Sequence, residues 1–538
     1  MTSSSQPSQP PHPKPIRWWP AFLIAAASIG VLVWIQSHDD MPFQHRNLQC
    51  LKTLVIGFAL LLIWWAGFSR TNRKVRLTVL AVILGTLGVG AGIFRITGVS
   101  GDLLPILEPR WSRRPAISQE PASGTPQLNR TNLSPATASA PGDFPQFLGP
   151  QRSAVLNEPR LVPDWKANPP RLQWKQPIGA AWSGFAVVGG RALTQEQRGE
   201  EELVTCYEAS TGRLLWSHSD PAHYQTTIAG EGPRCTPTVV GNRVYTLGAL
   251  GHLNCLDLES GRRLWRRNIA SDAGAKVPDW GFSGSPLVVT GRVHVSAGGK
   301  PEKSMLAYDS ETGYLAWAAG NSSISYSSPF VATLADVPQI LMFNSKRVTS
   351  HDLASGRVLW EYPWGVGQPH VAMPVPVGTN RVAFSSGYGV GSELLEISPG
   401  ASNSLAARRV WRSNRMKAKF SNLVAREGFL YGLDDGVLAC IDLKDGSLRW
   451  KEGRHGHGQG LLMGDLYLLM AESGELVLLR LAPTAPEELG RFRVFDAKTW
   501  NPIAIAGPLL LVRNDREAAC LLLPVQNSSR QDSLSNAE

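Results

Sequence analysis

The chain has 538 residues, 43% of them hydrophobic, with 52 Gly, 39 Pro and 18 Trp, a composition that excludes a disordered polypeptide and is ample for a large core. Its formal charge of +10 is modest for that length, and the basic residues are dispersed, so no nucleic-acid partner is expected. The six cysteines form no CxxC, no CxxCH and no adjacent pair, which removes the usual signatures of zinc, c-type haem and dithiol redox sites.

Residues 1–17 read as a cytoplasmic amino-terminal segment, and residues 18–94 as a transmembrane module. Three apolar runs lie in that module, Trp18 to Gln36, Leu51 to Phe68 and Val75 to Phe94. Each is close to the roughly 20 residues that a helix needs to cross a bilayer. A cleaved signal peptide has one short apolar region, which three successive runs do not fit. Arg70, Arg73 and Lys74 separate the second and third runs, with Arg76 at the start of the third, whereas the first loop offers only Arg46. Because Lys and Arg near membrane ends stay in the cytoplasm, the amino terminus is placed inside and everything after Phe94 on the extracytoplasmic, periplasmic side. Trp18, Trp19, Trp64 and Trp65 suit the headgroup level at the span ends. Residues 95–143, dense in Pro, Ser and Thr from about Glu108 onward, are expected to be a linker.

Beyond the linker one phrase recurs: "YEASTGRLLW", "LDLESGRRLW", "YDSETGYLAW", "HDLASGRVLW" and "IDLKDGSLRW". Its tryptophans are Trp216, Trp265, Trp317, Trp360 and Trp450, and weaker copies add Trp174 and Trp411. They stand roughly 40 to 50 residues apart, the period of a propeller blade. Within an interval the text alternates short apolar runs with turns, as in "PTVV", "GNR", "VYTLG", "LNCLD" and "LESG", which makes four strands. Counting on past Trp450 gives a further repeat near Phe492 and then three strands only. The missing outer strand is available around Leu172 to Trp174, so the ends of the domain close on each other and remove exposed edges.

The expected fold is therefore all-β, an eight-bladed β-propeller of four-stranded blades over residues 144–526, preceded by three transmembrane α-helices and followed by a disordered tail, 527–538. The repeated tryptophans dock each wedge-shaped blade onto its neighbour. Asp257, Asp309, Asp352 and Asp442 are assigned to the turns. Cys206, Cys255, Cys440 and Cys520 occupy equivalent blade positions and read as small buried hydrophobes.

Residues just before each innermost strand gather at one mouth of a propeller's channel. They give a candidate ligand- or partner-binding collar: Trp182, Arg234, Trp280, Tyr326, His370, Lys417, Lys419, His457 and Trp500. Arg234, Lys417 and Lys419 suit an anionic group, and Trp280 or Trp500 a planar one; the alternative is that the collar merely caps the channel. His455 and His457 are two apart but have no third ligand, so no metal is assigned. No nucleophile elbow, phosphate loop or paired carboxylates mark a catalytic residue.

The pattern of Asp, variable residues, Thr or Ser before Gly, then a spaced Trp resembles the tryptophan-docking repeat of the quinoprotein superfamily, the pyrroloquinoline quinone (PQQ) propellers. The stretches "FPQFLGPQRSAV", "WGFSGSPLVV" and "SNLVAREGFLYGLDDGVLACIDLKDGSLRW" resemble bacterial extracytoplasmic PQQ-like repeat proteins that are likened to BamB, a propeller of the outer-membrane assembly machinery. The resemblance implies two branches. One is a PQQ- and calcium-dependent dehydrogenase that oxidises an alcohol or sugar and passes electrons to membrane quinone; several members carry a vicinal disulfide, which this chain lacks. The other is a scaffold that binds protein partners in the envelope. Blades of about 45 residues leave little room for the inserts of a catalytic pocket, so the reading favours a membrane-anchored, non-catalytic binding or assembly platform with no cofactor. The dehydrogenase is the first alternative and a ligand-sensing propeller the second.

Overall fold

The computed structural model describes residues 16–37, 43–112, 142–299, 301–400 and 404–526. The chain divides into two compact units, residues 1–113 and 114–538. The expected tail 527–538, nearly all of segment 1–17 and most of the expected linker lie outside the described residues.

In the first unit, helices α1 (Trp19–Ser37), α2 (Phe43–Gly67) and α3 (Arg73–Ile93) are, among the described residues, the three long and apolar enough to cross a membrane. The side chain of Asn72 caps α3 by accepting from the Lys74 amide at 3.0 Å, which satisfies one of the orphan donors of a first turn. The expected linker does not begin at residue 95. Strands β1 (Phe94–Val99) and β2 (Pro105–Pro109) pair antiparallel there, around a tip in which Ser100 Oγ accepts from the amides of Asp102 and Leu104.

In the second unit the described strands form eight blades. Blades 1 to 7 occupy residues 186–221, 238–268, 287–319, 330–363, 375–413, 424–454 and 459–493, and the three strands of 504–522 make blade 8. The outer strand of blade 8 is Arg171–Pro177 from the start of the domain, with Cys520 opposite Trp174. Closure thus comes from the strand that the repeat count demanded.

The repeat's physical basis is visible at each junction. Trp216 of blade 1 donates from Nε1 to the Leu258 carbonyl in the turn of blade 2 at 3.0 Å, and its ring lies 2.4 Å from where a Cβ on Gly261 would sit. Gly261 has φ of 69°, so both the backbone and the ring require glycine. Trp174, Trp265, Trp317 and Trp411 pack in the same way on Gly212, Gly313, Gly356 and Gly446, and Trp450 donates to the Ala482 carbonyl. Trp360 differs: it donates to Gln339 Oε1 in its own blade, because blade 5 presents a long hairpin, Gly391–Pro399 with Leu405–Ser413, in place of the short turn. Blade 7 also differs. Its docking position is Gly490, opposite Leu478, and not Phe492; the missing ring is supplied by the buried Trp165, which packs against Gly490.

Cys206, Cys255, Cys440 and Cys520 are buried free thiols, each directly across the ladder from a docking tryptophan. Burial pushes all four up, as for inert core cysteines. Asp257, Asp309 and Asp352 accept from the amide and hydroxyl of Ser260, Thr312 and Ser355 and hold the turns.

Candidate binding collar

The inner strands run from the collar toward the hairpin turns, and the chain itself closes the far end. Segment 144–156 crosses that mouth: Phe144 pairs with Val187 of blade 1, the Pro145 carbonyl accepts from Val239 of blade 2, and Val155–Leu156 lies parallel to Leu462–Met463 of blade 7. Phe144, Leu148, Ala154 and Leu156 join one core with Phe185, Phe330, Val424 and Ile503 from four blades. Arg152, only 3% exposed, donates to the Ser285 and Pro286 carbonyls just before the inner strand of blade 3, both at 3.0 Å, and to Gln146 Oε1 at 3.1 Å. Burial pulls its guanidinium down to about 9. The phrase "FPQFLGPQRSAV" is therefore a strap across one mouth of the channel.

The structure divides the sequence-derived collar into two aromatic groups and three residues tied up elsewhere. In the first group Trp182 and Trp500 lie 4.8 Å apart between ring centroids, and Phe420 lies 4.9 Å from Trp500. Lys498 Nζ sits 3.8 Å over Trp500 and 4.9 Å over Trp182, a cation held by two ring faces. Burial lowers the Lys498 pKa. His457 packs on Phe420, and its Nε2 lies 3.0 Å from Nζ of Lys419, which is 1% exposed. In the second group Trp280 stacks on Tyr326 at 4.8 Å, and Tyr388 reaches to 6.5 Å from Trp280. Burial raises the phenols of Tyr326, to about 12, and of Tyr388.

The remaining three collar residues have structural partners. Arg234 spends its guanidinium on the carbonyls of Ala229, Gly230 and Gly232 and lies 4.5 Å over Tyr224. It thereby pins the loop that also receives the Trp182 indole at the Ala229 carbonyl. Burial brings Arg234 down to about 10. Lys417 pairs with Asp435 at 3.2 Å and Asp434 at 3.7 Å. His370 is fully buried, with Nδ1 2.6 Å from Ser386 Oγ and Nε2 3.2 Å from the Ser345 carbonyl; burial depresses it to about 4, so it is a neutral core histidine. His455 and His457 do not share surroundings, since His455 feels Arg491, Glu488 and Glu475. Among the described residues no three His, Cys, Asp or Glu side chains come together as a metal site.

Lys498, Tyr388 and Tyr224 are collar residues that the repeat pattern did not reveal. Lys498 was within reach, two residues before Trp500. Tyr388 lies in the turn after the second strand of blade 5, and Tyr224 in the inserted loop between blades 1 and 2, where the pattern makes no demand.

Comparison with known proteins agrees with this architecture. A family model described as outer membrane protein assembly factor BamB, a PQQ-repeat model, matches residues 165–277 and 200–452, and the chain belongs to this family of PQQ-like propellers. The dehydrogenase subunit of alcohol dehydrogenase (quinone) from Komagataeibacter europaeus is 32% identical over 126 residues, 21% of this chain and 16% of that protein; the corresponding subunit from Gluconacetobacter polyoxogenes matches equally. The chain thus spans about a sixth of those relatives. Among solved structures, quinohemoprotein alcohol dehydrogenase from Comamonas testosteroni superposes with a TM-score of 0.55 at 12% identity, over 74% of this chain and 82% of that one. A europium-containing methanol dehydrogenase gives 0.54 at 11%, over 71% and 98%. At these identities the likeness is one of fold.

Proposed function

We propose that the protein is a membrane-anchored, extracytoplasmic propeller that works as a non-catalytic protein-binding or assembly platform, presenting its collar to a partner in the envelope. The observation that carries this reading is the state of the collar. Its rings at 4.8 Å already pack on one another, its cations are engaged by rings, backbone carbonyls and carboxylates, and the far mouth is strapped shut. Such a surface is preformed and aromatic, the composition that anchors protein interfaces. The two aspartates beside the collar lysine Lys417 are already engaged and are not free to hold a calcium ion. Calcium takes six to eight oxygen ligands, typically with several carboxylates, whereas Asp434 is held by the Lys417 amide and Lys451 and Asp435 by Lys417.

The local likeness to quinone alcohol dehydrogenase subunits favours a second reading, a PQQ-dependent oxidoreductase. Titration of the full-length protein in nanodiscs with PQQ and calcium separates the two. The platform reading expects no quinone absorbance retained after gel filtration and no change in Tm at ligand excess; stoichiometric retention with a rise in Tm would establish the dehydrogenase reading instead.

A further inference from the structure

We propose that the hairpin Phe94–Pro109 is an interfacial membrane element, laying an apolar face into the headgroup layer on the side where α3 ends; this rests on reading α1 to α3 as membrane spans. The hairpin has no slack at its base. Phe94 follows Ile93 of α3 directly, and Arg110, just past the second strand, closes the helix end by donating from its amide to the Ile93 carbonyl at 2.7 Å and from Nε to the Ala91 carbonyl at 2.9 Å. Its tip is tied down as well. Gln44 and Asn47, in the first turn of α2, donate to the carbonyls of Gly101 and Asp102 at 2.5 and 3.1 Å. A six-residue strand spans about 20 Å. Fixed at one end to α3 and at the other to the first turn of α2, it bridges the helix ends and does not stand away from them.

The register then sorts the side chains by face. Phe94 lies opposite Pro109 and Ile96 opposite Leu107, while Arg95 lies opposite Glu108 on the other face. Ile96 and Leu107 are 62% and 60% exposed, and Trp111 beyond the second strand is 70% exposed. A two-stranded hairpin is marginal in water, and this one shows water a matched apolar pair; α3, which runs directly into it, exposes Leu84 and Val89 as well. Lipid is the occupant that covers both. The hairpin's open backbone edges exclude the hydrocarbon core, which leaves the interfacial plane, where amphipathic elements lie flat and indoles settle.

The test uses full-length protein in nanodiscs with a Cys50→Ser background, the other cysteines being buried. An environment-sensitive fluorophore is attached in separate variants Ile96→Cys, Leu107→Cys, Arg95→Cys and, as a reporter of the span, Leu84→Cys. Phospholipids with a nitroxide at the headgroup or shallow acyl position are expected to quench the 96 and 107 labels at least twofold more than the 95 label, with aqueous iodide showing the reverse order. If Leu84 is quenched by deep acyl nitroxides while 96 and 107 respond to iodide as 95 does, the interfacial hairpin is wrong and the spans stand. If Leu84 also escapes lipid quenching, the span reading has failed and the proposal falls with it.

Discussion

The two mouths of the channel are built by opposite means. At the strapped mouth, segment 144–156 is held by backbone pairing to blades 1 and 7, by Phe144 and Leu148 in the common core and by the buried Arg152. At the collar, the contacts are between side chains: ring on ring, cation on ring, lysine on carboxylate. Backbone pairing with buried apolar anchors is cooperative and opens only at the cost of unsatisfied polar groups. Side-chain contacts of about 1 kcal/mol each can rearrange around an incoming surface. On the proposed function, one mouth serves stability and the other exchange of contacts.

Substitutions should reproduce that difference. Phe144→Ala, which removes a core ring at the strap, is expected to cost about 3 to 5 kcal/mol, read as a large fall in the propeller's Tm. Arg152→Met leaves the Ser285 carbonyl buried without a donor, while the Pro286 carbonyl keeps the Thr238 hydroxyl, and should cost about 1 to 3 kcal/mol; an unchanged Tm would mean that the strap is not integral to the propeller. On the collar side of the interface between blades 1 and 2, burial pushes Glu202 up to about 7, although its Oε1 accepts from the Ala249 amide at 2.9 Å. A carboxyl with a raised folded-state pKa makes the native state bind the extra proton, so this group's contribution to stability falls as pH rises from about 4.5 to 7. Glu202→Gln should raise the Tm at pH 8 and leave it nearly unchanged at pH 5; equal shifts at both pH values would contradict the burial argument. The smallest effect belongs to the collar itself. Lys498→Met should change stability by less than about 1 kcal/mol while altering the tryptophan emission through Trp182 and Trp500, and a loss as large as that of Phe144→Ala would erase the distinction between the mouths.

What the sequence made legible was whatever the fold repeats. The Trp–Gly junction recurs because each wedge-shaped blade faces the same packing problem, so period, strand grammar and the borrowed strand Arg171–Pro177 could be read from the text. Where a junction is solved once only, the text was silent. Trp165 filling in for the absent ring at Gly490 lies far from it in sequence, and the strap has no periodicity to announce that Arg152 reaches blade 3. The collar positions followed from their place before each inner strand, but their partners did not: the loop carrying Ala229 takes up Arg234, and Ser386 takes up His370. The hairpin after α3 was hidden for a related reason, since its alternation is short and the Pro-rich text that follows dominates the composition.

The most direct measurement is site-specific photocrosslinking in native membranes, with the reactive group placed either at Trp280 in the collar or at the exposed Gln151 in the strap. The account predicts a discrete protein adduct from position 280, reduced by the substitution Trp500→Ala, and none from 151. Adducts from 151 with none from 280 would show that partners are met on the sealed face and would contradict it.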